Sequence, residues 1–474
     1  MRVHGSKPRA ALQGRLGHAP LRRDRELRSR SRHTLAGHAR RRRAPARNAL
    51  GFDPLSDALS NPAPGLARGR YADGYELVAR TFADQLEKGM EVGAALSVYR
   101  RGEHVVDLWG GQADVRRGVP WARDTRVVLF SVTKGLMAMA LHLLADRGQL
   151  DWDAPVADHW PGFAANGKAA ITARTLLNHQ AGLPYLDTPL TLAQCVDPEQ
   201  ADFVRRALEA QAPAWKPGER QGYHAITFGL YARELFERVA GEPVGPFLRR
   251  ELLEPLGSDA HLGTPAEEDA RTARLYPPGI GDRVARMLGA SLLQPRSTEA
   301  HVLRASIGRS SIARRAFLNP KTGPRGVLAY DDVTVRRAAL AWASATASAD
   351  GVARAYLPFA AGGAHGGRRY LREETIAPVH SRQGWAHDLV VQKPMGWSQG
   401  FLKEERHLFS PTPQSFGHAG MGGALGWADP VEGLAIGYVM NRMDWRVRSP
   451  RCVALCRALY ESEALDRGPT RLPR

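Results

Sequence analysis

The sequence predicts an α/β fold of the α+β kind: an antiparallel sheet built from both chain ends, flanked by helices, with a mostly helical lobe inserted between. Two observations carry this expectation. Hairpin-like runs rich in β-branched and aromatic residues lie towards each end, at "GAALSVYRRGEHVVDLWGG" (93–111) and "GGALGWADPVEGLAIGYVMNR" (422–442). Between them the apolar residues recur at helical spacing.

Taken in order, "YELVARTFADQLEKG" reads as a helix stopped by Gly89, and the first hairpin turns at Arg101-Gly102. "VVLFSVTKGLMAMALHLLADRGQL" (127–150) passes from an extended apolar run into a helix, with Leu136, Met139, Ala140, Leu143 and Leu144 at helical spacing and Gly148 as the stop. "TARTLLNHQ", "TFGLYARELFERVAG", "VGPFLRREL" and "VRRAALAWASATAS" supply the helical middle. The second hairpin turns around Asp429-Pro430 and Glu432-Gly433, and "SPRCVALCRALYESEAL" closes the chain as a helix. The expected boundaries are an Arg-rich, disordered extension and linker over 1–70 and an ordered domain over 71–474. Within that domain the sheet lobe covers about 71–125 and 400–474 and the helical lobe about 126–399, with a cleft between them as the expected place for a site.

Charge excludes one function class for the body of the chain. The net charge is +18, but residues 1–50 hold 15 Lys and Arg against 2 Asp and Glu, leaving 51 against 46 in the rest. No nucleic-acid partner is therefore expected for the core, while the basic extension is compatible with a nucleic-acid-binding arm, a mitochondrial transit peptide or a disordered tail. No apolar run reaches the ~18 residues of a membrane span, so no membrane is expected as partner. Cys195, Cys452 and Cys456 are too few and too irregularly spaced for a disulfide framework or a zinc site. A reducing cytoplasm is the expected compartment, or the mitochondrion if the leader is a transit peptide.

Ser131 stands where the helix begins, and Lys134 is one turn further on the same face. A desolvated lysine can lose its proton and act as base to a serine, which is a weak nucleophile alone. Serine is also a favoured helix N-cap, so this string by itself fits either reading. Tyr223 falls in a Gly-flanked turn ahead of a helix, where a phenol beside cations could shuttle a proton. His418-Ala419-Gly420 makes a strand edge of small residues that a substrate could approach, and Met421 adds a backbone N–H beside it.

Together, Ser131-Val-Thr-Lys134, Tyr223-His-Ala225 and His418-Ala-Gly420 resemble the three ordered motifs of the serine β-lactamase and penicillin-binding superfamily. More narrowly they resemble its class C-like esterases of the family VIII carboxylesterase type, with His-x-Gly in place of Lys-Thr-Gly. The resemblance runs from residue 71 to about 460 and includes "DLWGG", "LLNHQAGLPYLD", "WKPGERQGYHAITFG" and "FGHAGMGGALGWADP". A literal Lys321-Thr322-Gly323 in "LNPKTGPRG" is a decoy: the next residue, Pro324, has no N–H to donate, and two prolines mark a surface turn.

The resemblance implies a β-lactamase/transpeptidase-like fold and a serine hydrolase that cleaves a small-molecule carboxylic ester through an acyl-enzyme on Ser131. Lys134 and Tyr223 relay the proton, the N–H groups of Ser131 and Met421 hold the oxyanion, and His418 and Gly420 line the substrate site. No metal or organic cofactor is implied. His418 in place of a fixed cation, and Ala225 in place of an amide side chain, both favour esters. The alternatives are a β-lactamase or D-Ala peptidase acting on amides, and a non-catalytic scaffold with a basic binding arm.

Overall fold

The computed structural model describes residues 59–308, 311–403 and 408–465. The Arg-rich leader, residues 1–50, lies outside them. Residues 59–70, expected as linker, are instead part of the sheet: strands Asn61–Pro62 (β1) and Arg68–Tyr71 (β2) pair with one another, and β2 pairs with the first hairpin. Leu59 and Ala67 are buried there, which is the physical reason the sheet takes in residues that their polar composition assigned to a linker.

The first hairpin is Gly93–Arg100 (β3) and Glu103–Asp114 (β4), turning at Arg101 and Gly102 with φ of 50° and 86°. The far side of the sheet uses Gly384–His387 (β5), Pro394–Ser398 (β6), Phe401–Lys403 (β7), Phe416–Ala419 (β8), Leu425–Asp429 (β9) and Leu434–Met440 (β10). The order is β1-β2-β4-β3-β10-β9-β8-β7-β6-β5, every neighbour antiparallel, so β10 from the C-terminal end pairs with β3 from the N-terminal end. The sheet thus joins both ends of the ordered chain as expected, but it reaches back to Gly384 rather than starting near residue 400. Ladder bonds reward every strand that can be added in register, and β5 and β6 extend it beyond the apolar hairpin that marks it in sequence.

Helices Glu76–Glu87 (α1) and Pro450–Tyr460 (α2) pack on one another against one sheet face. Helix Ala349–Ala360 (α3) covers β3, β9 and β10 on the other. That contact is close: a Cβ on Gly437 would sit 2.1 Å from the Ala349 carbonyl oxygen, so only glycine lets helix and strand approach this far. "VRRAALAWASATAS" departs from expectation. Its helix stops at Arg337, and 338–345 follows an irregular path before the short strand Thr346–Ala347. Buried Ser344 takes over the hydrogen bonding, accepting from Leu340 N–H and donating to the Ala338 carbonyl, which competes with helix bonds. This break brings the Trp342 carbonyl to the site described next.

Candidate active site

Helix Val132–Asp146 carries the first motif and is buried over almost its whole length, from Val132 to Leu144. The chain enters it through Phe130 at φ 48°, a left-handed value unusual for an aromatic residue. Ser131 occupies the N-cap position yet makes no side-chain cap bond. Its Oγ instead accepts from the Lys134 amine at 3.1 Å and from the Tyr223 hydroxyl at 2.9 Å. The capping reading of Ser131 is therefore excluded by where its oxygen is spent.

Lys134 is wholly buried and donates also to the Trp342 carbonyl at 3.1 Å. Among the described residues no carboxylate pairs with it, and burial pushes its pKa well below the usual lysine value. Its Nζ lies 5.1 Å from the centre of the Tyr223 ring. Thr133 holds the facing segment by accepting from Ala345 N–H at 3.2 Å.

The third motif ends β8. His418 is buried and pairs in register with Gly426, and its Nδ1 lies 2.9 Å from the Ala419 carbonyl oxygen. Its ring centre is 6.2 Å from that of Tyr223. A Cβ on Gly420 would meet the Leu129 carbonyl at 2.4 Å, so this glycine lets the strand end lie directly against the chain that leads into Ser131. Gly420 N–H is used by Ala424 at 2.7 Å, whereas among the described residues neither the Ser131 nor the Met421 backbone N–H is bonded to another protein group. Two unspent N–H donors at a helix start and an adjacent strand end can serve a developing negative charge. Ser131, Lys134 and Tyr223 thus meet directly, with the His418-Ala419-Gly420 strand end packed beside them. Lys321 lies elsewhere, exposed and paired through its backbone with Leu190 and Leu192, so the surface turn expected at Lys321-Thr322-Gly323 begins only at Pro324.

Three residues around Tyr223 were not singled out by the sequence. Asp388 is fully buried and accepts from the N–H groups of Tyr223, Val390 and Val391 at 3.0, 2.9 and 2.9 Å; burial raises its pKa against these bonds. His224 Nε2 accepts from Leu183 N–H at 3.0 Å, which leaves the hydrogen on Nδ1, directed at His179 Nδ1 3.2 Å away. His179 Nδ1 also accepts from His224 N–H at 3.0 Å, and its ring lies 5.0 Å from that of Tyr223. Burial lowers both imidazoles, His224 to about 3 and His179 well below its usual value, so the pair is neutral. His179 itself sits at φ 61°, just after helix Ala173–Leu177, where His is among the residues tolerated. In sequence both imidazoles lie inside the strings that carry the resemblance, His179 in "LLNHQAGLPYLD" and His224 beside Tyr223, but nothing there assigns them a role.

A cluster of possible metal donors, Asp259, His261 and Glu268, is occupied by guanidinium groups. Arg126 pairs with both carboxylates, and Arg249 Nη1 lies 2.9 Å from His261 Nδ1. Desolvation and these cations drive His261 down to about 3. The donor set fits an ion-pair network better than a dication.

A fold of this kind around a serine, lysine and tyrosine is that of an active-site-serine hydrolase. The Beta-lactamase family matches residues 78–454, and the chain belongs to it. It is 34% identical over 376 residues to the Esterase/beta-lactamase LipL of Mycobacterium tuberculosis, covering 78% of this chain and 81% of that one. Esterase EstB of Burkholderia gladioli is 27% identical over 410 residues, 82% and 96% of the two chains. Among solved structures, a family VIII carboxylesterase superposes with a TM-score of 0.72 at 34% identity, over 83% of this chain and 99% of that one. A penicillin-binding protein homologue from Caulobacter crescentus gives 0.71 at 33%, over 83% and 99%.

Proposed function

We propose that the protein hydrolyses small carboxylic esters through an acyl-enzyme on Ser131. The observation that carries this reading is Ser131 Oγ held between a desolvated Lys134 amine and the Tyr223 hydroxyl, with unspent N–H donors alongside. Ser131 Oγ attacks the ester carbonyl carbon, and its proton passes to Lys134 and Tyr223. The carbonyl oxygen takes the negative charge and accepts from the N–H groups of Ser131 and Met421. Collapse of the tetrahedral intermediate breaks the ester C–O bond, and the relay returns the proton to the departing alkoxide. A water then attacks the acyl carbon, gives its proton to the same relay, and releases the carboxylic acid with Ser131 restored. Every proton lost is regained within the cycle, so no metal or cofactor is required.

His418 and Ala225 support esters over β-lactams. A β-lactam carries a carboxylate that a fixed cation would clamp and an amide that needs a polar partner. An imidazole whose Nδ1 bonds the Ala419 carbonyl, standing in place of a long cationic side chain, and a buried methyl supply neither well. The named relatives, an esterase/beta-lactamase among them, keep amide hydrolysis as the second reading. Steady-state hydrolysis of a short-chain p-nitrophenyl ester and of a chromogenic cephalosporin by wild type and Ser131→Ala tests both. We expect the ester to lead by at least about an order of magnitude in kcat/KM, as loss of one charged and one neutral hydrogen bond would give. We expect Ser131→Ala to abolish both activities. Equal rates on the two substrates would reverse the preference, and an active Ser131→Ala would remove the nucleophile.

A further inference from the structure

Helix Ile280–Leu293 lies outside the sheet and packs on the neighbouring helix Thr298–Ala305. Val284, Leu288 and Leu292 recur every four residues along it, forming one stripe, and that stripe faces outward. Val284 and Leu288 are each 51% exposed, Leu292 82% and Leu293 85%. Among the described residues sixteen large apolar side chains are exposed, and seven of them fall between 284 and 318, Phe317 and Leu318 included. Scattered exposed leucines need no explanation, but this concentration does.

Charge is concentrated in the same place. Residues 280–318 carry seven Arg against Asp282 and Glu299, a net +5. The remainder of 51–474 then holds 44 Lys and Arg against 44 Asp and Glu, so the whole charge excess of the body lies in this segment. Asp282 is already paired with Arg286 at 2.8 Å, and Glu299 accepts from Val447 N–H at 3.1 Å.

The sign of that charge selects what can cover the apolar stripe. A second copy would bring +5 against +5. The chain's own leader brings +13, and its last nine residues bring three Arg against one Asp. Each of these is repelled. A projecting, aliphatic, arginine-ringed helix instead matches the interfacial helices that lie in the headgroup region of negatively charged lipid. The segment is also joined to the site at its entry: Tyr276 N–H donates to the Asn441 carbonyl at 2.8 Å, and Met443 N–H donates back to Tyr276 at 3.0 Å. Met443 in turn backs Gly422, next to Met421.

We propose that helix 280–293, with its flanking arginines, is a docking surface for an anionic phospholipid bilayer, tied through Tyr276 to the segment that backs Gly422. This stands apart from the ester reading, since it is a statement about binding. It departs from the sequence expectation of no membrane partner, which rested on the lack of a spanning segment. Among the described residues no helix is long and apolar enough to cross a membrane, and docking on the surface needs none.

The test uses the full chain with phosphatidylglycerol-containing vesicles and with pure phosphatidylcholine vesicles, read by co-sedimentation and by hydrogen exchange of the amides. We expect binding to the anionic vesicles only, slowed exchange in 280–293, and at least tenfold weaker binding of the double variant Leu288→Asp/Leu292→Asp. That variant should keep wild-type hydrolysis of a soluble ester, because both side chains are exposed. Should it misfold, Arg283→Glu/Arg286→Glu replaces it with the same expectation. Binding with protection confined to the Arg-rich leader overturns the proposal, as does undiminished binding of the variant. A concentration-dependent dimer lost in the variant would assign the face to a second copy and overturn it equally.

Discussion

Lys134 is a cost to the fold as well as a part of the site. In the unfolded chain it titrates near the ordinary lysine value of 10.5, and burial holds it well below that in the folded one. Below 10.5 the unfolded state binds the extra proton, so this group's contribution to stability worsens as pH falls and levels off under the folded pKa. Lys134→Met should therefore raise the stability at pH 7 by about 0.5–2 kcal/mol while removing activity, and the gain should shrink as pH approaches the lysine value. Denaturant titrations at two pH values check it. Tyr223→Phe keeps the ring and removes the hydroxyl, and should lower kcat roughly 10²-fold or more with the fold intact. His418→Lys should narrow the gap between ester and β-lactam, measured as the ratio of the two kcat/KM values. Ser131, Lys134, Tyr223 and His418 were legible in sequence because each sits in a short local motif whose neighbours constrain it. His179, His224 and Asp388 were not, because their work is to hold backbone N–H groups and one another across long loops. The Trp342 carbonyl could not be read at all, since a helical pattern covered the segment that in fact breaks.

Elements show where backbone approach, rather than side-chain chemistry, sets the fold. Gly437 on β10 touches α3 so closely that an added methyl meets a carbonyl oxygen, so Gly437→Ala should cost about 1–3 kcal/mol by displacing helix from strand. Gly289, within helix 280–293, has nothing within 4 Å of a built Cβ. Gly289→Ala should gain about 0.4–1 kcal/mol through the unfolded chain. Urea melts of the two variants should move in opposite directions. The hairpins and helices 76–87, 227–240 and 450–460 were legible because alternation and helical spacing are strong over those lengths. Strands 384–387 and 394–398 were missed because they are short and lie in a segment whose sequence has no clear period.

At the scale of the whole molecule, the described residues begin at Leu59, beyond the basic stretch 1–50. Removing residues 1–50 should leave ester hydrolysis and Tm nearly unchanged and lower the salt needed to elute the protein from heparin. Removing residues 1–71 should instead lower Tm, because it strips β1 and β2 from the sheet and bares β4, whose Trp109, Leu108, Asp107 and Val106 face β2. The two truncations together check that β1 and β2 belong to the fold. The central claim is that this fold serves one nucleophile. Reaction of the intact protein with a serine-reactive phosphonate, followed by mass measurement and peptide mapping, tests it most directly. We expect a single adduct per chain, on the peptide that holds Ser131, and none on Ser131→Ala. An adduct on another serine, or an unlabelled chain that still hydrolyses the ester, would contradict it.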